Sequence, residues 1–216
     1  LEERKAYRFF EEELQAEKKK ANIIYIEGDG VMVKARKQGD DNRRFDLSHF
    51  IVHTGSQKVS QQRSKLIDKK EFISMNNCLA RSQVIDYLYN TFEITEETIL
   101  ITNSDGGHGY TPYVFNEIAK ALNIKRHEHF WDAYHVNQLV KTYFKPYSQQ
   151  LIEEALQAIY QHSKSQLQSV FDTTESILTT TEEEVVFENT KQRILQNFRY
   201  TKPARLRGLQ KVSLGV

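Results

Sequence analysis

The segment that most constrains the fold is residues 22–34, where an apolar run leads to Asp29 between Gly28 and Gly30 and then to a second, alternating run. This pattern predicts two adjacent strands joined tightly around Asp29, because glycine lets the backbone bend and lets a ligand approach closely. Asp-Gly between strands is also a strong signal for a hairpin turn. Asp29 therefore has two interpretations, a turn residue or one ligand of an acidic metal-binding cluster.

The composition excludes several classes of protein. The 216 residues carry a formal net charge of +1, so any binding of nucleic acid must come from local basic patches. The single cysteine, Cys78, excludes an internal disulfide and a cysteine-rich zinc site. No apolar run approaches the roughly 20 residues that a membrane span needs. These features predict a protein of the reducing cytosol with no membrane partner.

Beyond the first two strands, predicted over residues 22–27 and 31–37, a turn over 38–44 leads to a third strand over 47–54, and residues 56–70 form an exposed loop or a ragged strand pair. The later predicted elements are a helix over 79–92, a buried strand over 98–102, a helix over 114–122, a strand over 124–131 and a helix from 132 to about 144. Three strands followed by alternating strands and helices predict an α/β fold, with three antiparallel strands in a mixed sheet and helices on both faces.

Composition also divides the chain into four predicted parts. Residues 1–20 are dense in Glu and Lys and form an N-terminal helix or linker, residues 21–145 form the α/β core, and residues 146–200 form a helical block. Residues 201–216 are the most basic stretch. Since the chain begins without Met and stops in an apolar run, we expect a piece of a longer protein.

The partner that Asp29 needs is Asp105, which follows the apolar run 98–102 and also stands beside glycine. Sites in open α/β sheets form at the carboxyl ends of central strands, so we expect the fold to bring the two aspartates together. Close carboxylates repel one another unless a cation lies between them, and hard oxygen ligands suit Mg²⁺ or Mn²⁺. Such ions serve phosphodiester chemistry. The alternative is that Asp105 only caps the following turn.

Five further residues carry side chains that suit a site. Asp132 and His135 could supply a third metal ligand and an orienting histidine, or an N-cap and an ordinary surface histidine. His127 and His129 alternate on a predicted strand, but the absence of cysteines and of a His-x-x-x-His helix argues against zinc. His108 lies between two glycines in the loop after Asp105, where we expect it to approach a substrate.

Three motifs, in order, resemble those of insertion-sequence transposases of the ISLre type, which belong to the DDE superfamily and are related to Mutator-like transposases. Residues 25–31 (Tyr-Ile-Glu-Gly-Asp-Gly-Val) resemble the first-Asp motif, and residues 101–107 (Ile-Thr-Asn-Ser-Asp-Gly-Gly) resemble the second. Residues 131–135 (Trp-Asp-Ala-Tyr-His) resemble the D-x-x-H element shared with Mutator-like transposases. The resemblance covers about residues 20–145 and, more weakly, the helical block.

The resemblance implies a ribonuclease-H-like core with an all-helical insertion. Such enzymes use Asp, Asp and Glu with two Mg²⁺ (or Mn²⁺) ions to cut transposon ends and join them to target DNA. Asp29 and Asp105 match the first two positions as metal ligands, and Asp132 and His135 are carried over as catalytic. The third acid, a Glu, has no convincing match and is expected beyond Val216, so this fragment is expected to be inactive alone. A homodimer follows by analogy only, as does a place in the bacterial cytosol, on the nucleoid when DNA is bound.

The same resemblance suggests which side chains contact DNA phosphates, with affinity falling steeply with salt. These predicted nucleic-acid-binding residues are Lys34, Arg36, Lys37, Arg43, Arg44, His108, Lys202, Arg205, Arg207 and Lys211. The alternative for the early lysines and arginines is a solvated strand edge that resists aggregation. Two other functions stay open: another ribonuclease-H-like nuclease, or a non-catalytic DNA- or protein-binding module derived from a transposase.

Overall fold

The computed structural model describes residues 17–34, 44–61, 63–209, 212 and 214. The chain divides into two compact units, Leu1–His129 and Phe130–Val216. Most of the N-terminal helix predicted over residues 1–20, and most of the turn predicted over 38–44, lie outside the described residues. The domain boundaries predicted from composition stay predictions.

The strands lie mainly in the first unit, and the last of them crosses into the second. They are β1 Lys19–Lys20, β2 Ile23–Lys34, β3 Arg44–His53, β4 Gly55–Lys58, β5 Ser64–Ile67, β6 Lys70–Ser74, β7 Phe92–Glu93, β8 Ile99–Ser104 and β9 Arg126–Trp131. Five of these strands form one sheet in the order β6-β3-β2-β8-β9. Strand β3 is antiparallel to both β2 and β6, whereas β2 is parallel to β8, so the predicted mixed sheet is confirmed. Of the two structures predicted for residues 56–70, an exposed loop or a ragged strand pair, the strand pair is the one observed, as the antiparallel pair β4–β5. Strand β1 pairs with β7.

The hairpin predicted at Asp29 is wrong, because β2 runs through this position without a turn. Asp29 lies opposite His49 in an antiparallel register that continues from Tyr25 to Lys34. Pairing with β3 on one side and β8 on the other holds β2 extended, and this outweighs the local turn preference of Asp-Gly. The second and third antiparallel strands are therefore β3 and β6, of which β6 was not predicted.

The described helices agree with the predicted periodic segments. They are α1 Asn77–Thr91, α2 Pro112–Ala121, α3 Ala133–Phe144, α4 Gln149–Gln161, α5 Lys164–Glu175 and α6 Thr181–Asn197, followed by short 3₁₀ helices at Phe198–Thr201 and Ala204–Arg207. Several starts have clear local causes, such as the Asn76 side chain that caps α1 and the capping box that Thr180 and Glu183 form on α6. None of the described helices is long and apolar enough to cross a membrane.

Each unit has its own hydrophobic core. In the first unit, Ile24 and Ile26 of β2 and Leu100 of β8 pack with the buried faces of α1 and α2. Both helices of this unit therefore cover the same face of the sheet. In the second unit, the buried faces of α3 to α6 surround Phe171 and Phe187, and the helical stripes predicted over 146–200 are confirmed.

Candidate metal site around Asp29 and Asp105

Asp29 and Asp105 occupy neighbouring positions at the end of β8. Gly28 and Ser104 form the last residue pair of the parallel strands β2 and β8. Asp29 is the next residue of β2, and Asp105 is the first residue after β8. Adjacent strands lie about 4.8 Å apart, and residues in parallel register share a face of the sheet. Asp29 is exposed and Asp105 is partly exposed. Strand β8 therefore lies next to β2, as the sequence predicted, while the shared metal site of Asp29 and Asp105 stays a prediction.

Both carboxylates are oriented by nearby backbone groups. The Gly30 N–H donates to Asp29 Oδ1 at 2.7 Å, and the Gly107 N–H donates to Asp105 Oδ1 at 2.7 Å. The second bond is the turn cap that was the alternative interpretation of Asp105. A carboxylate has two oxygens and several lone pairs, so a cap on one oxygen is compatible with metal ligation through the other.

Two histidines of β3 lie on the Asp29 face, and sequence analysis gave neither a role. His49 lies directly opposite Asp29, and its buried Nε2 atom has no hydrogen-bond partner among the described residues. His53, four residues further along β3, stacks on Tyr25 with ring centroids 4.7 Å apart. The signal that could have found them was alternation, because β3 places residues 49, 51 and 53 on one face.

Glu27 and His53 form a buried acid–base pair two residues from Asp29. The His53 Nε2 atom lies 3.2 Å from Glu27 Oε1, and its Nδ1 atom lies 3.2 Å from the Gly55 carbonyl oxygen. The Gly55 carbonyl and an ionised Glu27 carboxylate are both hydrogen-bond acceptors, so each can pair with an N–H of the ring. Sequence analysis treated Glu27 only as part of a motif.

His127 and His129 face the same side of β9, as the alternation predicted, and meet at Thr102. The Thr102 Oγ1 atom lies 2.8 Å from His127 Nε2 and 2.8 Å from His129 Nδ1. A hydroxyl donates one hydrogen bond and accepts others, so Thr102 donates to one ring and accepts from the other. Burial lowers the pKa of His127 to about 4, against a smaller opposing effect of Glu128. Both rings are thus explained by packing and hydrogen bonding inside the sheet.

Asp132 and His135 lie in the second unit, at the start of α3. The Asp132 side chain caps this helix, because its Oδ1 atom accepts from the His135 N–H at 3.1 Å. The His135 side chain is exposed and packs edge-on against Tyr134, with ring centroids 5.5 Å apart. The N-cap interpretation of Asp132 is confirmed, and the catalytic roles of both residues stay predictions.

The described parts of the chain contain no group of three or more His, Cys, Asp or Glu side chains that could hold a metal ion. Asp29 and Asp105 together offer oxygen ligands of the type that Mg²⁺ and Mn²⁺ accept. Two carboxylates are an incomplete donor set for these ions.

The predicted DNA-contacting residues differ in their surroundings. Lys34 and Arg44 are exposed and lie opposite each other at the far end of the β2–β3 pair. Arg207 instead donates from Nε to the Lys202 carbonyl at 2.9 Å and from Nη2 to the Tyr200 carbonyl at 3.0 Å. Of the remainder, His108 and Arg205 are exposed, Lys202 is partly buried, and Arg36, Lys37, Arg43 and Lys211 lie outside the described residues.

The fold is that of a two-unit protein with a mixed α/β sheet and a helical block. The chain belongs to a family described as "Uncharacterised protein family (UPF0236)", whose model matches residues 6–212. It is similar to a curated protein of Streptococcus gallolyticus named "UPF0236 protein in vanSb 3'region", with 30% identity over 198 residues. That match covers 89% of this chain and 41% of the relative, so the chain spans less than half the relative's length.

Proposed function

We propose that this chain is the catalytic core of a DDE-type DNA transposase, in which Asp29 and Asp105 hold a divalent metal ion. The observation that supports the proposal is the β2–β8 register, which pairs Gly28 with Ser104, the residues that immediately precede Asp29 and Asp105. The resemblance to ISLre-type transposases, based on three short motifs, predicts acidic residues at these two positions.

The sheet supports a ribonuclease-H-like core. Its first long strand, β2, is central, the antiparallel strands β3 and β6 lie on one side, and β8 and β9 lie on the other. Strands β8 and β9 are separated in sequence by helix α2, as alternation requires. Three antiparallel strands followed by alternating strands and helices are the pattern that the resemblance implies, and a helical block follows them.

The chemistry proposed for the site needs few side chains. Bound at these carboxylates, Mg²⁺ or Mn²⁺ would supply Lewis-acid activation of a water or 3′-hydroxyl and stabilise the leaving oxygen. Asp29 and Asp105 bind the ion, and the Gly30 and Gly107 N–H groups orient them. The third acid of the triad is proposed to follow Val216. His135, exposed at the start of α3, is proposed to contact DNA or to orient a reacting group.

The DNA contacts are proposed at exposed cations near strand and helix ends. Lys34 and Arg44 form the last residue pair of β2 and β3 beyond Asp29. Arg205 lies over the exposed ring of Tyr160, with its guanidinium carbon 5.6 Å from the ring centroid. Cations of this kind bind phosphates and release counterions, so affinity should fall steeply with salt. Arg207 is a weaker candidate for a DNA contact, because its guanidinium already donates to the Lys202 and Tyr200 carbonyls.

Strand transfer tests the proposal directly. A chain with the full length of the longer relative is mixed with labelled transposon-end DNA, plasmid target and Mn²⁺. We expect joined products that disappear in Asp29→Asn and Asp105→Asn. Cleavage of branched DNA or RNA without joining would favour another ribonuclease-H-like nuclease.

One observation favours a different class of function. Since the described residues hold no three-ligand metal group, a non-catalytic module that binds DNA or protein is the second candidate. In that case the extended chain would bind DNA equally well with and without Mn²⁺, and Asp29→Asn would leave binding unchanged.

A further inference from the structure

The glycines on both sides of Asp29 make room for an aromatic ring. A Cβ atom added at Gly28 would lie 2.8 Å from Tyr110 Cδ1 and 2.9 Å from Phe115 Cζ, closer than side chains pack. A Cβ atom at Gly30 would lie 3.5 Å from Tyr110 Cε2. These distances show that the Tyr110 ring, which is only 3% exposed, packs directly against the backbone on both sides of Asp29.

Tyr110 also ends the loop that carries Asp105. Its N–H donates to the Gly107 carbonyl at 3.0 Å, and its own carbonyl accepts from Ser104 Oγ at 2.6 Å. The same hydroxyl of Ser104 accepts from the Gly106 N–H at 3.3 Å. The loop from Ser104 to Tyr110 is thus closed at its base, and Asp105 is the first residue inside it. Any shift of Tyr110 is transmitted to Asp105 through this short closed loop.

We propose that Tyr110 is a positioning residue that sets the separation of Asp29 and Asp105 for one shared divalent metal ion. Its ring packs against the strand of the first aspartate while its backbone closes the loop of the second. The inference rests on the proposed function, since it concerns the geometry of the same metal site. This inference also explains why position 28 is a glycine although no turn forms there, because any larger residue would displace the Tyr110 ring.

The shape of the ring, and not its hydroxyl, carries this role. The Tyr110 hydroxyl oxygen is buried and makes no hydrogen bond of normal geometry with the described residues. Burial raises the pKa of this hydroxyl above its ordinary value, against smaller opposing effects of Ser48, the His49 backbone and Asn77. The ring itself is held by Phe50, with centroids 5.2 Å apart. Phenylalanine should therefore replace Tyr110, and leucine should not.

Phe115 offers a matched control for loss of packing. It contacts the same space beside Gly28 and is fully buried, but it belongs to helix α2 and not to the Asp105 loop. Phe115→Leu and Tyr110→Leu both remove an aromatic ring from one core, so both should lower stability. Only Tyr110→Leu should change the metal site.

The experiment measures Mn²⁺ affinity by the loss of the free-ion electron paramagnetic resonance signal, with stability followed separately by urea unfolding. We expect wild type, Tyr110→Phe and Phe115→Leu to bind Mn²⁺ within twofold of one another, and Tyr110→Leu to bind at least tenfold more weakly while folded. Ser104→Ala, which opens the loop without touching the ring, should also weaken binding and serves if Tyr110→Leu does not fold.

The outcomes separate the two proposals. If wild type binds Mn²⁺ and Tyr110→Leu and Ser104→Ala bind equally well, Tyr110 has no positioning role and the metal site stands. Equal weakening in Phe115→Leu and Tyr110→Leu would show general loss of packing and overturn the inference. If wild type does not bind Mn²⁺, the metal site of the proposed function fails, and this inference fails with it.

Discussion

Gly28 lies directly opposite Ser104 in the parallel pair of strands β2 and β8, and an aspartate follows each of them. The relationship depends on a register set by two apolar strands, and a shift of one residue would turn the aspartates to opposite faces.

Gly28→Ala should destabilise the protein by about 1–3 kcal/mol, the usual cost of an extra carbon in a packed core. The added Cβ would meet the Tyr110 and Phe115 rings at 2.8 and 2.9 Å. Gly30→Ala is the matched control, because its nearest contact is the Asp46 side chain at 3.0 Å, which is exposed and can rotate. Urea unfolding of both variants checks the difference, and equal losses would contradict the packing described here.

Glu27→Gln should be tolerated and Glu27→Ala should not. A glutamine amide can donate to a neutral His53 Nε2 while Nδ1–H still donates to the Gly55 carbonyl, so both ring nitrogens stay paired. Alanine leaves a buried nitrogen without a partner, which costs about 1–3 kcal/mol. The free energies of unfolding of the two variants should differ by that amount. A larger loss in Glu27→Gln than in Glu27→Ala would show that the buried pair needs its charge.

Acid should destabilise the folded state partly through His127. Burial lowers the pKa of this residue from 6.5 to about 4, so between these values the unfolded state binds a proton that the folded state does not. Stability is fully present above pH 6.5 and falls as the pH drops, by about 2 kcal/mol between pH 7.5 and 5. His127→Gln should lose that part of the pH dependence in urea unfolding at both pH values. An unchanged difference between the two pH values would show that His127 titrates normally.

Arg205 and Arg207 should have opposite effects on stability and on DNA binding. Arg207→Ala removes a guanidinium that donates to two carbonyls and lies 3.8 Å from the Phe130 ring centroid, so it should cost about 2 kcal/mol. Arg205→Ala changes an exposed side chain and should cost under about 0.5 kcal/mol. Fluorescence anisotropy with duplex DNA should show weaker binding for Arg205→Ala only. The reverse order would remove Arg205 from the proposed interface.

Local signals account for the parts of the fold that sequence analysis predicted. The helices carry amphipathic stripes and caps within a few residues, such as the Thr180 capping box, and β8 is a short apolar run. The neighbouring positions of β2 and β8 were predicted because each carries an apolar run that leads to an aspartate beside glycine.

The errors arose where distant contacts decide the structure. Asp-Gly at Asp29 carries a turn signal, but β3 and β8 hold the backbone extended on both sides. Strand β6 has a single buried residue, Phe72, so its sequence shows no alternation to find. The role of Tyr110 is defined by contacts with Gly28 and Phe50, which are far away in sequence, and the residues around Tyr110 give no local sign of them.

The central claim, that Asp29 and Asp105 together bind a divalent metal ion, is tested most directly by Mn²⁺ titration followed by electron paramagnetic resonance. The panel is wild type, Asp29→Asn, Asp105→Asn and the surface control Asp172→Asn, whose side chain accepts from Gln168 on α5. The proposal predicts that wild type and Asp172→Asn bind Mn²⁺ equally and that each of the other variants binds at least tenfold more weakly. Equal Mn²⁺ binding by all four proteins, or no binding by wild type, would contradict it.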